Sequence, residues 1–263
     1  MRKYLAIVRL SIQNTLTYRG PIFVWLLSNI ITLVTLVAVW QSASAGETIA
    51  GYTKSELISY YIIALFLQWL TGWMPFYWIK DEIKDGSIVA SSLIKPVSFY
   101  WRAFAWEVGW HIVSTPIGLL ASTAVIVFIP QYFVLNLSPN ILLVALATLL
   151  SIFLMFSLSL CMGMLAFWFT HINAIDSLFW SAKMILGGQG IPVSFLPNTF
   201  FQVAYVLPFR YLFSFPLEIY FGKISLTQII SGFGIQVVWI LLFSTLYKLM
   251  WEKGRRVYTA FGH

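Results

Sequence analysis

Of the 263 residues, 60% are hydrophobic and 10% charged, and the mean hydropathy is +0.84. A soluble domain carries roughly 25% charged residues, so a soluble enzyme or binding module is excluded and an integral membrane protein is expected. The formal charge of +7 fits Lys and Arg flanking membrane spans and argues against nucleic acid as a partner.

The chain opens on "MRKYLAIVRLSIQNTLTYR", residues 1–19, which holds no spanning run. At helical spacing Leu5, Val8, Ile12 and Leu16 share a face, with Arg2, Arg9 and Gln13 beside it. The pattern predicts an N-terminal amphipathic helix resting on the inner leaflet against membrane lipids; the alternative is an extension of the first span. About 20 apolar residues are needed to cross the hydrocarbon core, and residues 21–40 supply them. The "SASAG" that follows imitates a signal-peptidase site, but it lies further along the chain than the ~15–30 residues of a signal peptide, so the span is expected to be retained.

Residues 57–79 form the second predicted span. Next comes "WIKDEIKDGSIVASSLIKP", residues 78–96, where Lys80, Asp81, Glu82, Lys84 and Asp85 crowd together. Gly86 and Ser87 offer a turn and a helix N-cap. "IVASSLI" then makes one or two helical turns with Val89 and Leu93 four apart, and Pro96 ends them by disfavouring helix at Lys95. A short helix presented at the membrane surface is predicted; the alternative is a charged loop that only fixes topology.

The third span, residues 103–129, carries Glu107 and His111, four apart on one face and able to pair. Ionisable groups inside a span are costly, so they form either a structural pair or a substrate or proton pathway. The fourth span, 141–169, leads through a very short connection with His171, Asn173 and Asp176 into a fifth that starts near Ile175. Lys183 on this fifth span either faces a polar pathway or snorkels along its four-carbon stem. Gly187, Gly188, Gly190 and Pro192 interrupt the span, because glycine and proline break helices. With Pro197, Pro208, Pro216 and many aromatic residues, segment 187–227 is expected to make re-entrant half-helices on the outer side, an interfacial aromatic belt, or both. Residues 229–251 complete six spans. No internal repeat is visible, and 1–263 reads as one all-α transmembrane domain.

Basic residues collect on the cytoplasmic side of membrane proteins. An inside N-terminus places Arg2, Lys3, Arg9 and Arg19, then Lys80, Lys84, Lys95 and Arg102, then Lys248, Lys253, Arg255 and Arg256 inside, with Lys54, Arg210 and Lys223 outside. Both termini and segment 80–98 are therefore expected in the cytoplasm.

Three stretches resemble a known family. Segment 80–96, a charged cluster closed by Asp-Gly and by Leu-Ile-Lys-Pro, resembles the loop after the second span of type-2 ATP-binding-cassette (ABC) permeases, which are six-span exporter membrane subunits. "GGQGIPVSFLPNTFFQVAYVLPFRYLFSFPLEIYFG", residues 187–222, and the terminal "WEKGRRVYTAFGH" are similar to two further segments of that family. The resemblance implies a dimer with a second permease subunit, identical or a paired relative, in a bacterial or archaeal plasma membrane. It also implies a cytoplasmic ABC ATPase subunit that would hold ATP and Mg, leaving no cofactor on this chain. The family's coupling helix maps onto Lys80, Asp81, Glu82, Lys84, Asp85, Gly86, Val89, Leu93, Ile94, Lys95 and Pro96, with Val89, Leu93 and Ile94 as the apolar anchor and the charges setting docking register.

The P-loop pattern is absent, since "GKIS" at residues 222–225 lacks the first glycine and the Ser or Thr after Lys223. An enzyme is not expected: Cys161 is the single cysteine and the three histidines are scattered, so there is no metal spacing and no nucleophile–base arrangement. The leading expectation is the permease subunit of an ATP-driven exporter working by alternating access. The alternative is an ion-coupled secondary transporter using Glu107, His111 and Lys183, against which stands the single interrupted span, because such transporters usually break helices in matching halves.

Overall fold

The computed structural model describes residues 2–42, 48–49, 51–94, 96–128, 130–134, 140–169 and 172–258. Lys95 and His171, named above, lie outside them. Among the described residues the regular elements are all helices, with no named strand: α1 (Arg2–Thr17), α2 (Gly20–Ser42), α3 (Lys54–Thr71), α4 (Phe76–Lys84), α5 (Phe99–Phe128), α6 (Ile141–Met164), α7 (Asn173–Ile185), α8 (Asn198–Val206), α9 (Ser214–Tyr220) and α10 (Leu226–Val257). Helices α2, α5, α6 and α10 are long and apolar enough to cross a membrane, and α3 with α4 makes a fifth candidate, bent by 41°.

That bend corrects the unbroken span expected over residues 57–79. Pro75 has no N–H and disfavours helix at Met74, so the chain leaves the helix at Gly72 and resumes at Phe76. The Phe76 amide is satisfied from outside, by Ser159 Oγ at 2.9 Å. A second break follows α7 as expected, the helix ending at Ile185 just before the glycines. With 13 residues, α7 is about 20 Å long at 1.5 Å per residue, less than the roughly 30 Å hydrocarbon core. Two breaks are therefore present where one was expected.

Helix α1 forms as predicted, over Arg2–Thr17. Its stripe of Val8, Ser11 and Thr15 lies along α5, and Leu5 and Leu16 of the expected apolar face remain exposed. The close approach depends on Gly109, where a Cβ would stand 2.5 Å from Ser11 Cβ and 2.6 Å from the Val8 carbonyl. Ser11 Oγ donates to the Trp106 carbonyl at 2.7 Å, locking the two helices in register.

Two capping boxes start α3 and α10: Thr53 with Glu56, and Ser225 with Gln228. Lys223 Nζ reaches Glu56 at 2.9 Å, so both starts lie at one end of the bundle. At the other end Lys3 Nζ donates to the Pro96 carbonyl at 2.6 Å and Tyr258 O–H to the Ile83 carbonyl at 3.1 Å. Residues 2 and 258, the limits of the described chain, therefore flank the charged turn. Between the ends α6 runs beside α10, where Gln236 Nε2 donates to the carbonyls of Ala147 (3.1 Å) and Tyr211 (3.0 Å).

Candidate functional site

The charged stretch belongs largely to α4, whose last turn carries Lys84. Asp85 and Gly86 turn the chain, Gly86 at φ +82°, a left-handed conformation that glycine adopts without strain. The cap is not Ser87: Asp85 Oδ1 accepts the Ser87 amide at 2.8 Å. Residues Val89–Leu93 form a π-helical turn closed by Ile94 N–H to the Val89 carbonyl, in place of the α-helical turn expected there. Ile88, not singled out by the sequence, is the buried anchor of this turn; Val89 is half-buried and Ile94 is exposed.

The five charges separate into two classes. Glu82 takes both guanidinium nitrogens of Arg102, at 3.0 and 2.5 Å, and accepts from Ser91 Oγ at 3.0 Å. Arg102 itself lies over the rings of Trp78 and Phe99. Lys80 is turned onto Phe76 and Tyr77, 4.9 and 5.3 Å from their centroids. These two residues hold the turn to the bundle, whereas Asp81, Lys84 and Asp85 are exposed. Glu82 and Lys80, expected among the docking charges, are half-buried and packed against the bundle.

Glu107, His111 and Lys183, separate in sequence, line one cavity of about 260 Å³ bounded by α2, α3, α4, α5 and α7. All three are buried. Trp78 Nε1 donates to Glu107 Oε1 at 3.0 Å. Thr115 Oγ1 gives its proton to the Trp69 carbonyl at 3.0 Å, so it must accept from His111 Nδ1, also at 3.0 Å. This leaves His111 Nε2 facing Glu107 Oε2 at 4.0 Å, with no other partner among the described residues. Trp73 stacks on the imidazole at 4.7 Å and 11°, fixing its plane.

Lys183 sits in the last turn of α7 with its ammonium 3.3 Å from the Trp180 ring centroid, so it points into the cavity rather than snorkelling away. The cavity walls are indole: Trp25, Trp69, Trp78, Trp106, Trp110 and Trp180, half of the chain's 12 tryptophans. Gly118 lets the Trp69 ring lie against α5, since a Cβ there would stand 2.0 Å from the ring. A smaller cavity of about 150 Å³ shares Asn29 and Gln68 with the first and reaches Gln189 and Gly190. Gln189 Nε2 donates to Gln68 Oε1 at 2.8 Å.

In segment 187–222 the named residues mark turns and helix starts. Gly188, at φ +79°, packs against Ser214 and receives the Tyr60 hydroxyl on its carbonyl at 2.5 Å. Gly190 N–H returns to the Met184 carbonyl at 2.9 Å. Pro192 and Pro197 precede short helices, Pro208 a further turn, and Pro216 lies in the first turn of α9, where a missing N–H costs nothing. Arg210, expected as an outer-loop charge, is 1% exposed and paired in a fork with Glu218, which also accepts from Ser214 Oγ at 2.8 Å.

A family model described as ABC-2 family transporter protein matches residues 25–262. The chain belongs to the ABC-2 family. As an ABC-2 protein it is a multi-pass membrane protein of the ABC-transporter type, in a family of membrane subunits that are generally non-catalytic and typically work with an ATPase subunit. No match was found among curated proteins or among solved structures.

Sequence reading missed the indole walls, the Arg102 brace, the Tyr258 contact and the Arg210–Glu218 pair. A signal existed for the first: in "WEVGWH" Trp106 and Trp110 repeat at the same four-residue spacing as Glu107 and His111. The others join residues brought together by folding, and pattern within one helix carries no trace of them.

Proposed function

We infer that this ABC-2 protein is the permease subunit of an exporter driven by a separate cytoplasmic ATPase. The match over residues 25–262 carries the reading. On it, the end of the bundle holding both described chain limits faces the cytoplasm, in agreement with the basic residues around Arg2, Lys84 and Arg255. The ATPase docks on the exposed part of the turn, Asp81, Lys84, Asp85 and Ile94, while Glu82 and Lys80 transmit its movement through Arg102 and the Phe76–Tyr77 rings. Charges suit the first role because exposed pairs set register and encounter rate more than affinity. The sixth span is α7 continued by the broken outer segment, whose backbone breaks are tolerated at membrane depth because they are buried in protein. The two cavities, joined by Asn29 and Gln68, lie along a route from the turn toward the outer glycines. A second copy or a paired relative completes the transporter.

Affinity purification in mild detergent followed by mass spectrometry tests the reading. Wild type is expected to bring down a P-loop ATPase, and Asp81→Ala/Lys84→Ala/Asp85→Ala to lose it. Recovery of no ATPase by wild type, together with uptake into vesicles that follows a proton gradient without ATP, would transfer Glu107, His111 and Lys183 to an ion-coupled mechanism.

A further inference from the structure

We propose that the tryptophan-walled cavity is a binding site for a flat apolar molecule carrying one anionic group, an aromatic acid or an anionic lipid headgroup with the start of its chain. As a substrate class the assignment rests on the permease reading; as a binding site it stands on the cavity alone.

The argument begins with charge. Lys183 is 1% exposed, and among the described residues no carboxylate comes within salt-bridge distance of its ammonium. Its nearest neighbours are rings, Trp180 at 3.3 Å, Phe213 at 5.6 Å and Phe179 at 6.0 Å from the centroids, and Asp176 of the same helix acts on it from beyond salt-bridge distance. An ammonium removed from water, set against ring faces and with its carboxylate beyond salt-bridge distance, lacks the paired counter-ion that buried cations ordinarily have. The one carboxylate lining the cavity, Glu107, is engaged with Trp78 and opposite His111. Glu107, so engaged, is not paired with the Lys183 ammonium.

An unpaired cation calls for oxygen acceptors. The six indoles supply faces for a planar apolar body, and Trp25 already stacks on Trp180 at 5.9 Å. The volume, about 260 Å³, admits a bicyclic aromatic acid or a lipid head with its first methylenes. A purely cationic aromatic ligand would also find indole faces, but Lys183 already occupies the Trp180 face and would repel it.

The test uses the full-length protein in nanodiscs, with tryptophan fluorescence as readout, because half of the chain's indoles line the cavity. Naphthalene-2-acetate is titrated in parallel with the similar-sized cation 2-(2-naphthyl)ethylammonium. Saturable quenching by the acid, with at least tenfold preference over the amine, is expected, and Lys183→Gln should abolish that preference while Lys183→Arg restores it. Equal binding of both probes, preference for the amine, or no saturable binding overturns the site without reference to any variant. Repeating the titration in phosphatidylglycerol and in phosphatidylcholine nanodiscs separates the two sources of the anion. Competition confined to phosphatidylglycerol assigns a lipid headgroup, and equal acid affinity in both lipids assigns a free aromatic acid. Because neither ATPase nor transport enters the measurement, its failure leaves the permease reading standing.

Discussion

Two arginine–glutamate pairs hold irregular backbone at opposite ends of the molecule, and they differ in burial. Arg210–Glu218 lies in segment 187–222 with side chains 2% and 6% exposed; Glu82–Arg102 braces the charged turn at 22% and 10%. The first is enclosed by Tyr205, Tyr211 and Phe215 and leaves no charge at the surface. The second has the exposed Asp81, Lys84 and Asp85 beside it, Asp85 accepting the Ser87 amide. One pair closes its end of the bundle upon itself, and the other fixes a surface while leaving it available.

The largest effect is expected at the enclosed pair. Arg210→Ala or Glu218→Ala strands a buried charge and should cost about 3–5 kcal/mol, whereas Arg210→Met/Glu218→Leu should regain most of it. Cys161, the single and buried cysteine, provides the assay: a thiol-reactive dye reports unfolding as the temperature rises. If the double replacement unfolded as early as the single ones, the pair would be doing more than neutralising itself. Next comes Gly188→Ala, which places a Cβ 2.8 Å from Ser214 Cβ and from the Tyr60 hydroxyl on a left-handed backbone, with an expected loss of about 1–3 kcal/mol in the same assay.

Glu82→Gln should cost less, roughly 1–2 kcal/mol, because water reaches the pair and replaces part of what is lost. A loss as large as that of Glu218→Ala would remove the distinction drawn between the two ends. The double change Asp81→Ala/Lys84→Ala, which spares the Asp85 cap, should move stability by no more than about 0.5 kcal/mol while abolishing ATPase capture. Unchanged capture beside unchanged stability would leave these charges with a role in topology only.

Much of the architecture was legible in the chain. Apolar runs of spanning length located α2, α5, α6 and α10, and Gly187 and Gly188 marked the end of α7. Pro75 was equally readable but was passed over within a long apolar run, although its missing N–H breaks the second span as surely as the glycines break the fifth. The charged turn stood out by composition, and the three ionisable residues inside spans stood out by cost.

What the sequence by itself determined is therefore the set of elements whose cause is local: length against hydrocarbon thickness, glycine and proline against helix, Lys and Arg against lipid. Only the tertiary structure decided which charges are spent inside and which remain outside. Glu82 meets Arg102 across 20 positions and Tyr258 meets Ile83 across 175. Likewise Lys183 joins Glu107 and His111 only because α5 and α7 border one cavity, with Gly118 admitting the Trp69 ring between neighbours. Ionic and hydrogen-bond partners are chosen by distance in space, and distance in space is set by packing that no single helix contains.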